Sequence, residues 1–223
     1  MPILPLTLPA GALRILCLGA HADDIEIGCA GTVLQVLASH PVSECRWVVL
    51  SATDEREHEA RASASAVLAA ARAEVDVHRF RDGHFPAALS AVKDALETTR
   101  DAFAPDVVFT HARDDRHQDH RLVSDVTWQT FRDHLILEYE IPKWDGDLGQ
   151  PVCYMPLSRE IARRKVQHVV TAFPSQRSKP WFNEETLFAL LRLRGIECRA
   201  PSGYAEAFFG RKLVLDPGAV ESA

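Results

Sequence analysis

The sequence predicts an α/β fold, a mostly parallel sheet flanked by helices, and three observations carry that prediction. Apolar runs of strand length, rich in β-branched and aromatic residues, alternate with longer segments of helical periodicity. A polar cluster follows each of the first four runs, as expected where parallel strands end at a ligand-binding edge. A chain of 223 residues, 47% of them hydrophobic, is long enough to bury the core that such a sheet needs.

The first strand is expected over 13–20 (LRILCLGA), and the mostly apolar stretch after it gives a helix over about 28–39. A second strand over 45–52 (CRWVVLSA) leads to an alanine-rich helix over about 57–72. The third pair is a strand over 75–80 (VDVHRF) and a helix over about 87–103, with Pro105 as its stop. The fourth strand, 106–111 (DVVFTH), precedes a helix that begins after His117. The stretch HLILEYEIPKWDGDLGQP, broken by Pro142, Gly146, Gly149 and Pro151, reads as a loop. Beyond it we expect a strand at VCYM, helices over about 158–171 and 183–194, and a final strand-like segment YAEAFFGRKLVL. The expected organisation is one domain over 1–223, with a core of about 12–140 and a C-terminal α/β extension of about 141–223 that caps the site.

Composition narrows the partner. The net charge of -6, with acids and bases mixed along the chain, leaves no basic footprint for nucleic acid and no polybasic tail for a membrane. A small molecule is the expected partner, and homo-oligomerisation stays open. Cys17, Cys29, Cys45, Cys153 and Cys198 are odd in number and free of C-x-x-C pairs, so they predict free thiols in a reducing compartment. The N-terminal stretch has no charged region before its apolar part, and no apolar run reaches about 18 residues. A cytoplasmic protein without an integral membrane segment is therefore expected.

The four edge clusters hold the chemistry. His21, Asp23 and Asp24 follow the first strand, TDERE (53–57) the second, RDGHF (81–85) the third and THARDDRHQDH (110–120) the fourth. A dinucleotide-binding turn needs glycines where GAHADDIEIG has bulky residues, and its phosphate would be repelled by these acids. A metal ion fits instead. His117 and His120 are three residues apart, so at a helix start both face one side. A catalytic zinc commonly takes three ligands from His, Asp and Glu and keeps a fourth position for water, which becomes a nucleophile near neutral pH. Taken alone, His21-Asp23-Asp24 also fits an acidic helix N-terminus; the histidines on the same edge favour the metal. Asp115 is the member of its charge run best able to reach the pocket. His84 and His111 are close enough to touch a substrate, whereas His40, His58, His78, His134 and His168 read as surface or structural groups. Trp144 and Trp181 fit stacking on a sugar ring and simple packing equally well.

AHADD followed by GCAGT, with HQDH about a hundred residues later, resembles the LmbE/PIG-L family of zinc-dependent de-N-acetylases, whose marks are AHPDD, a glycine-rich continuation and HPDH. TDERE stands at the family's T-x-G-E loop, RDGHF at its D-G turn, and EIPKWDGD resembles segments of bacterial members. The resemblance implies a Rossmann-like fold and one Zn2+, or another divalent ion, held by His21, Asp24 and His120. It implies Asp23 as general base, His117 as the cationic group that stabilises the oxyanion, and Asp119 as a carboxylate that orients an imidazole. Arg61 and Asp82 match substrate-side positions. The implied reaction is hydrolysis of the acetamide of an N-acetylglucosamine-type sugar, releasing acetate and a free amine. Departures from the pattern are Ala22 and Gln118 in place of prolines, Ala30 in place of a glycine, and Ala64 where a glutamate often follows the arginine. Two rival readings are a zinc amidase acting on a thiol conjugate or other natural-product amide, and a non-catalytic nucleotide- or sugar-binding module that holds no metal.

Overall fold

In the computed structural model, which describes residues 5–8 and 11–214, seven strands form one sheet. Strands β1 (Leu13–His21), β2 (Val42–Ser51), β3 (Ala73–Val77), β4 (Val107–His111) and β5 (Leu135–Tyr139) run parallel. Strand β6 (Cys153–Pro156) is antiparallel to β7 (Ala205–Phe209), which is itself antiparallel to β5, and the spatial order is β3-β2-β1-β4-β5-β7-β6. The helices are α1 (Asp24–Ser39), α2 (Asp54–Val67), α3 (Leu89–Ala102), α4 (Gln118–Thr130), α5 (Arg159–Ala172) and α6 (Glu184–Glu197).

Burial on both faces explains the near-continuous apolar strands. Along β1, Leu16, Leu18 and Ala20 pack with Val92 and Leu96 of α3 and Val123 and Val126 of α4, while Ile15 and Cys17 join the opposite core under α1, α2, α5 and α6. Helix α1 is buried almost all round, which is why its sequence shows little amphipathic period. Its glycines serve close approach. A methyl group at Gly28 would lie 2.2 Å from the Tyr139 ring, and one at Gly31 would lie 2.7 Å from the Glu206 carboxylate. Glu206 accepts the backbone N–H of Gly31 at 2.9 Å and of Thr32 at 2.6 Å and pairs with buried Lys165, so β7 and α5 are fastened to this helix.

The sequence reading of 134–151 as a loop is corrected at its start, because LILEY forms β5. A glutamate in the middle hides this strand, since a buried charge is not expected in an apolar run. Glu138 is nevertheless fully enclosed, accepting from Arg113 N–H, Trp128 Nε1 and the Arg211 guanidinium, all from remote segments. The final strand is also shorter than expected, ending at Phe209. Among the described residues, no helix is long and apolar enough to cross a membrane.

β1 and β4 are neighbours, yet the chain leaves β1 toward β2 and leaves β4 toward β5. That reversal opens a crevice at their carboxyl ends.

Candidate active site

Two strand-to-helix turns meet at this crevice. β1 ends on His21 and α1 begins at Asp24; β4 ends on His111 and α4 begins one residue after His117. They line a cavity of about 200 Å³ through His21, Asp23, Asp24, His117 and His120. The helix-cap explanation of the acids does not hold for Asp23: it occupies the N-cap position of α1 but its side chain makes no capping hydrogen bond.

His21 Nδ1, Asp24 Oδ2 and His120 Nε2 form a triangle with edges of 3.2, 3.5 and 3.1 Å. Tetrahedral coordination with bonds of about 2.0–2.2 Å requires donor separations of about 3.3–3.6 Å, so these atoms suit one face around a metal ion. The outward ring nitrogens are committed to carboxylates. His21 Nε2 lies 3.0 Å from Asp82 Oδ1 and 3.4 Å from Asp119 Oδ2, and His120 Nδ1 lies 2.9 Å from Asp115 Oδ2. With protons donated outward, both imidazoles turn a lone pair toward the triangle's centre. His111 is fully buried behind it, stacked on His120 at 3.9 Å, with its Nε2 accepting the Ala20 N–H at 3.0 Å.

Electrostatics favour the donor form at Asp24 and His120, whereas at His21 they favour a second proton that an ion bound there would have to displace. Burial raises the Asp24 pKa, but the His120, His111 and His21 imidazoles more than offset it and keep the carboxylate well below its usual range. Burial opposes a charge on His21, yet Asp24, Asp119 and Asp82 together hold its pKa well above normal. His120 is lowered by burial and by His111 against the pull of Asp24 and Asp115. His117 is likewise lowered by burial and by His120 and His21. This ring accepts the Asp119 N–H through Nδ1 at 3.3 Å, which leaves its proton on Nε2. The geometry therefore presents His117 as a neutral N–H donor, where the resemblance implies a cation.

Two sequence-selected substrate residues lie elsewhere. Arg61 Nε donates to Glu57 at 2.9 Å and Nη1 donates to the Val75 carbonyl at 2.8 Å, outside the cavity lining. The cavity's arginine is Arg56, whose Nη2 pairs with Asp23 Oδ1. Five residues along one helix turn a side chain about 140° around the axis, so the two arginines of α2 face different surroundings. Asp115 is 3% exposed and fully engaged: Oδ1 accepts the His117 N–H at 2.8 Å, and Oδ2 faces His120 and Lys143. It is outside the lining of this cavity. Asp82 does line the cavity, and His21 helps hold its carboxyl down at about 2. Asp119 accepts the backbone N–H groups of Gly83 at 2.6 Å and Phe85 at 3.1 Å, which anchors the RDGHF turn. Gln118, at a position where the resembled motif has proline, donates to the Gly83 carbonyl at 3.1 Å and braces that same turn.

Arg56 was available to sequence reasoning inside TDERE, but nothing local distinguishes it from Arg61. Arg56→Ala is expected to lower kcat/KM about tenfold or more by freeing Asp23, and Arg61→Ala to leave it within about twofold, in steady-state kinetics on a hydrolysed substrate. Equal effects of the two would contradict the assignment. Trp144, Lys179 and Trp181 also line the cavity, with Lys179 Nζ 5.3 Å from the centre of the Trp181 ring.

The family model described as PIG-L, GlcNAc-PI de-N-acetylase, matches residues 16–131. No curated protein matches the chain. Among solved structures, a conserved protein of Thermus thermophilus is similar at 24% identity and a TM-score of 0.72, over 92% of this chain and 97% of that one. N,N'-diacetylchitobiose deacetylase of Pyrococcus horikoshii is similar at 18% identity and a TM-score of 0.66, over 90% of this chain and 84% of that one. The 4-carboxy-2-hydroxymuconate hydratase GalB of Pseudomonas putida shares the fold at 15% identity and a TM-score of 0.65, over 93% of this chain and 100% of that one.

Proposed function

The chain belongs to the PIG-L, or GlcNAc-PI de-N-acetylase, family, and from that premise we propose that it hydrolyses the acetamide of an N-acetylated amino sugar to acetate and the free amine. The observation that carries this reading is the three-donor triangle of His21, Asp24 and His120 beside Asp23 in one cavity. Two nitrogens and one oxygen suit zinc, and other divalent ions compete for the same set. When bound, such an ion supplies the Lewis acidity that a resistant amide and its attacking water require.

The rest is work for the protein's own groups. Asp23 accepts the proton of the attacking water and returns it to the departing amine nitrogen, so one carboxylate serves as base and then acid. His117 donates its Nε2–H to the carbonyl oxygen as negative charge develops there, a role open to a neutral imidazole. Arg56 holds Asp23 in position, while Asp82, Asp119 and Asp115 fix the two ring ligands. Trp144 and Trp181 offer apolar faces to a sugar ring. An N-acetylglucosamine-type unit is the proposed substrate, a reading that the name of the Pyrococcus deacetylase supports.

The hydratase with this fold is a reminder that the scaffold hosts more than one reaction. The deciding measurement is acetate release across free, nucleotide-linked and lipid- or inositol-linked N-acetylhexosamines. Release from one class above the others supports the reading. No release from any of them, with turnover of an N-acylated thiol conjugate, would replace the sugar by that amide.

A further inference from the structure

One buried cation beside the site has no part in the proton transfers. The Lys143 side chain is 7% exposed, and its Nζ lies 3.0 Å from Asp115 Oδ2, the same oxygen that receives His120 Nδ1 at 2.9 Å. Its second partner is Asp147, whose Oδ2 also accepts the Arg116 N–H at 2.7 Å. Lys143 thus joins two carboxylates, one behind a metal-holding imidazole and one in the segment between β5 and β6.

That segment is closed on itself at its base. The Arg194 guanidinium donates to both Glu140 oxygens, at 2.8 and 2.9 Å, and to the Gly149 carbonyl at 3.0 Å, while the Gly149 N–H returns to Glu140 Oε1 at 2.9 Å. Between these ends, Ile141, Lys143, Trp144 and Asp145 line the cavity, and Trp144 is 71% exposed. Beyond the base, the Lys143 and Asp147 contacts to Asp115 and Arg116 are what tie the segment to the metal-site turn. A buried ammonium is stable only with such partners, so its position is strongly specified.

We propose that Lys143 is a positioning residue that couples the substrate-facing segment to His120 through Asp115, fixing Trp144 at the cavity while restraining the site's affinity for its ion. The proposal rests on the metal-dependent reading above. Two consequences follow from its charge. Because Lys143 shares Asp115 Oδ2 with His120, removing it leaves that carboxylate more fully to the imidazole, which becomes a stronger donor. It also removes a positive charge that repels a divalent ion across a short distance. A residue that merely stapled the segment would do neither.

The test uses the 223-residue chain, stripped with a chelator and titrated with Zn2+ against a chromophoric competitor, together with KM for the N-acetylhexosamine that gives the highest acetate release. Lys143→Met is expected to bind Zn2+ roughly three- to tenfold more tightly than the wild type, while KM rises about tenfold. Asp147→Asn loosens the segment but leaves the ammonium on Asp115, so KM should rise with zinc affinity unchanged within about twofold. Lys143→Arg, which can bridge the same two carboxylates, should restore both quantities to within about threefold of the wild type. Lys143→Gln carries the same expectation of tightening if the methionine variant does not fold. Zinc affinity that is unchanged or weaker in a folded neutral variant overturns the coupling while leaving the hydrolase reading intact. Zinc uptake that His120→Ala leaves undiminished overturns the coupling together with the His21, Asp24 and His120 site on which it rests.

Discussion

Asp23→Asn is expected to keep about one divalent ion per chain and to lose about 10²–10⁴-fold in acetate release, the range typical for removal of a positioned general base. The substitution is nearly isosteric, and the asparagine carbonyl can still accept from Arg56, so the local packing is retained. The amide cannot take a proton from water near neutral pH. Asp23 is also absent from the donor triangle, which is why metal content should not follow activity. Elemental analysis and an acetate assay on the same preparation separate the two quantities. Activity within a few-fold of the wild type would remove Asp23 as the base, and loss of metal would make it a ligand.

His120→Ala should lose both. It deletes one vertex of the triangle and leaves two donors, and it also strands Asp115, whose Oδ2 then faces only Lys143. Metal content is expected to fall below about a tenth of an ion per chain, with acetate release at background, because a pair of donors holds a divalent ion far more weakly than three. His21→Ala should behave alike. His58→Ala, an exposed position away from the cavity, serves as the control and should change neither measurement. A second convergent set, His21, Asp82, His117 and Asp119, makes this experiment decisive. Full metal occupancy in His120→Ala would move the ion to that set and reassign His117 from donor to ligand.

Two parts of the candidate site are legible in the sequence. AHADD and HQDH are local devices: over three residues, His21 N–H reaches Asp24 Oδ2 at 2.6 Å, and the start of α4 presents His117 and His120 to one side. Edge clusters after strands β1 to β4 likewise announced the crevice. Other placements depend on a residue's neighbours in space. Arg61 matches a motif position, yet Glu57 and the Val75 carbonyl take its guanidinium, and Arg56 reaches Asp23 instead. Asp115, expected to reach the pocket, faces His120, the His117 N–H and Lys143, contacts that its own charge run does not announce. β5 was hidden by Glu138, whose partners come from three separate segments.

By itself the sequence determined the alternation of strands and helices and the two short motifs that carry donors, because hydrophobic period and contacts within one helical turn are properties of neighbouring residues. Only the tertiary structure decided that the motifs face each other across 99 residues of chain, through the pairing of β1 with β4. It alone decided which nitrogen of each imidazole points inward, since that depends on carboxylates brought from remote loops: Asp82 and Asp119 behind His21, and Asp115 behind His120.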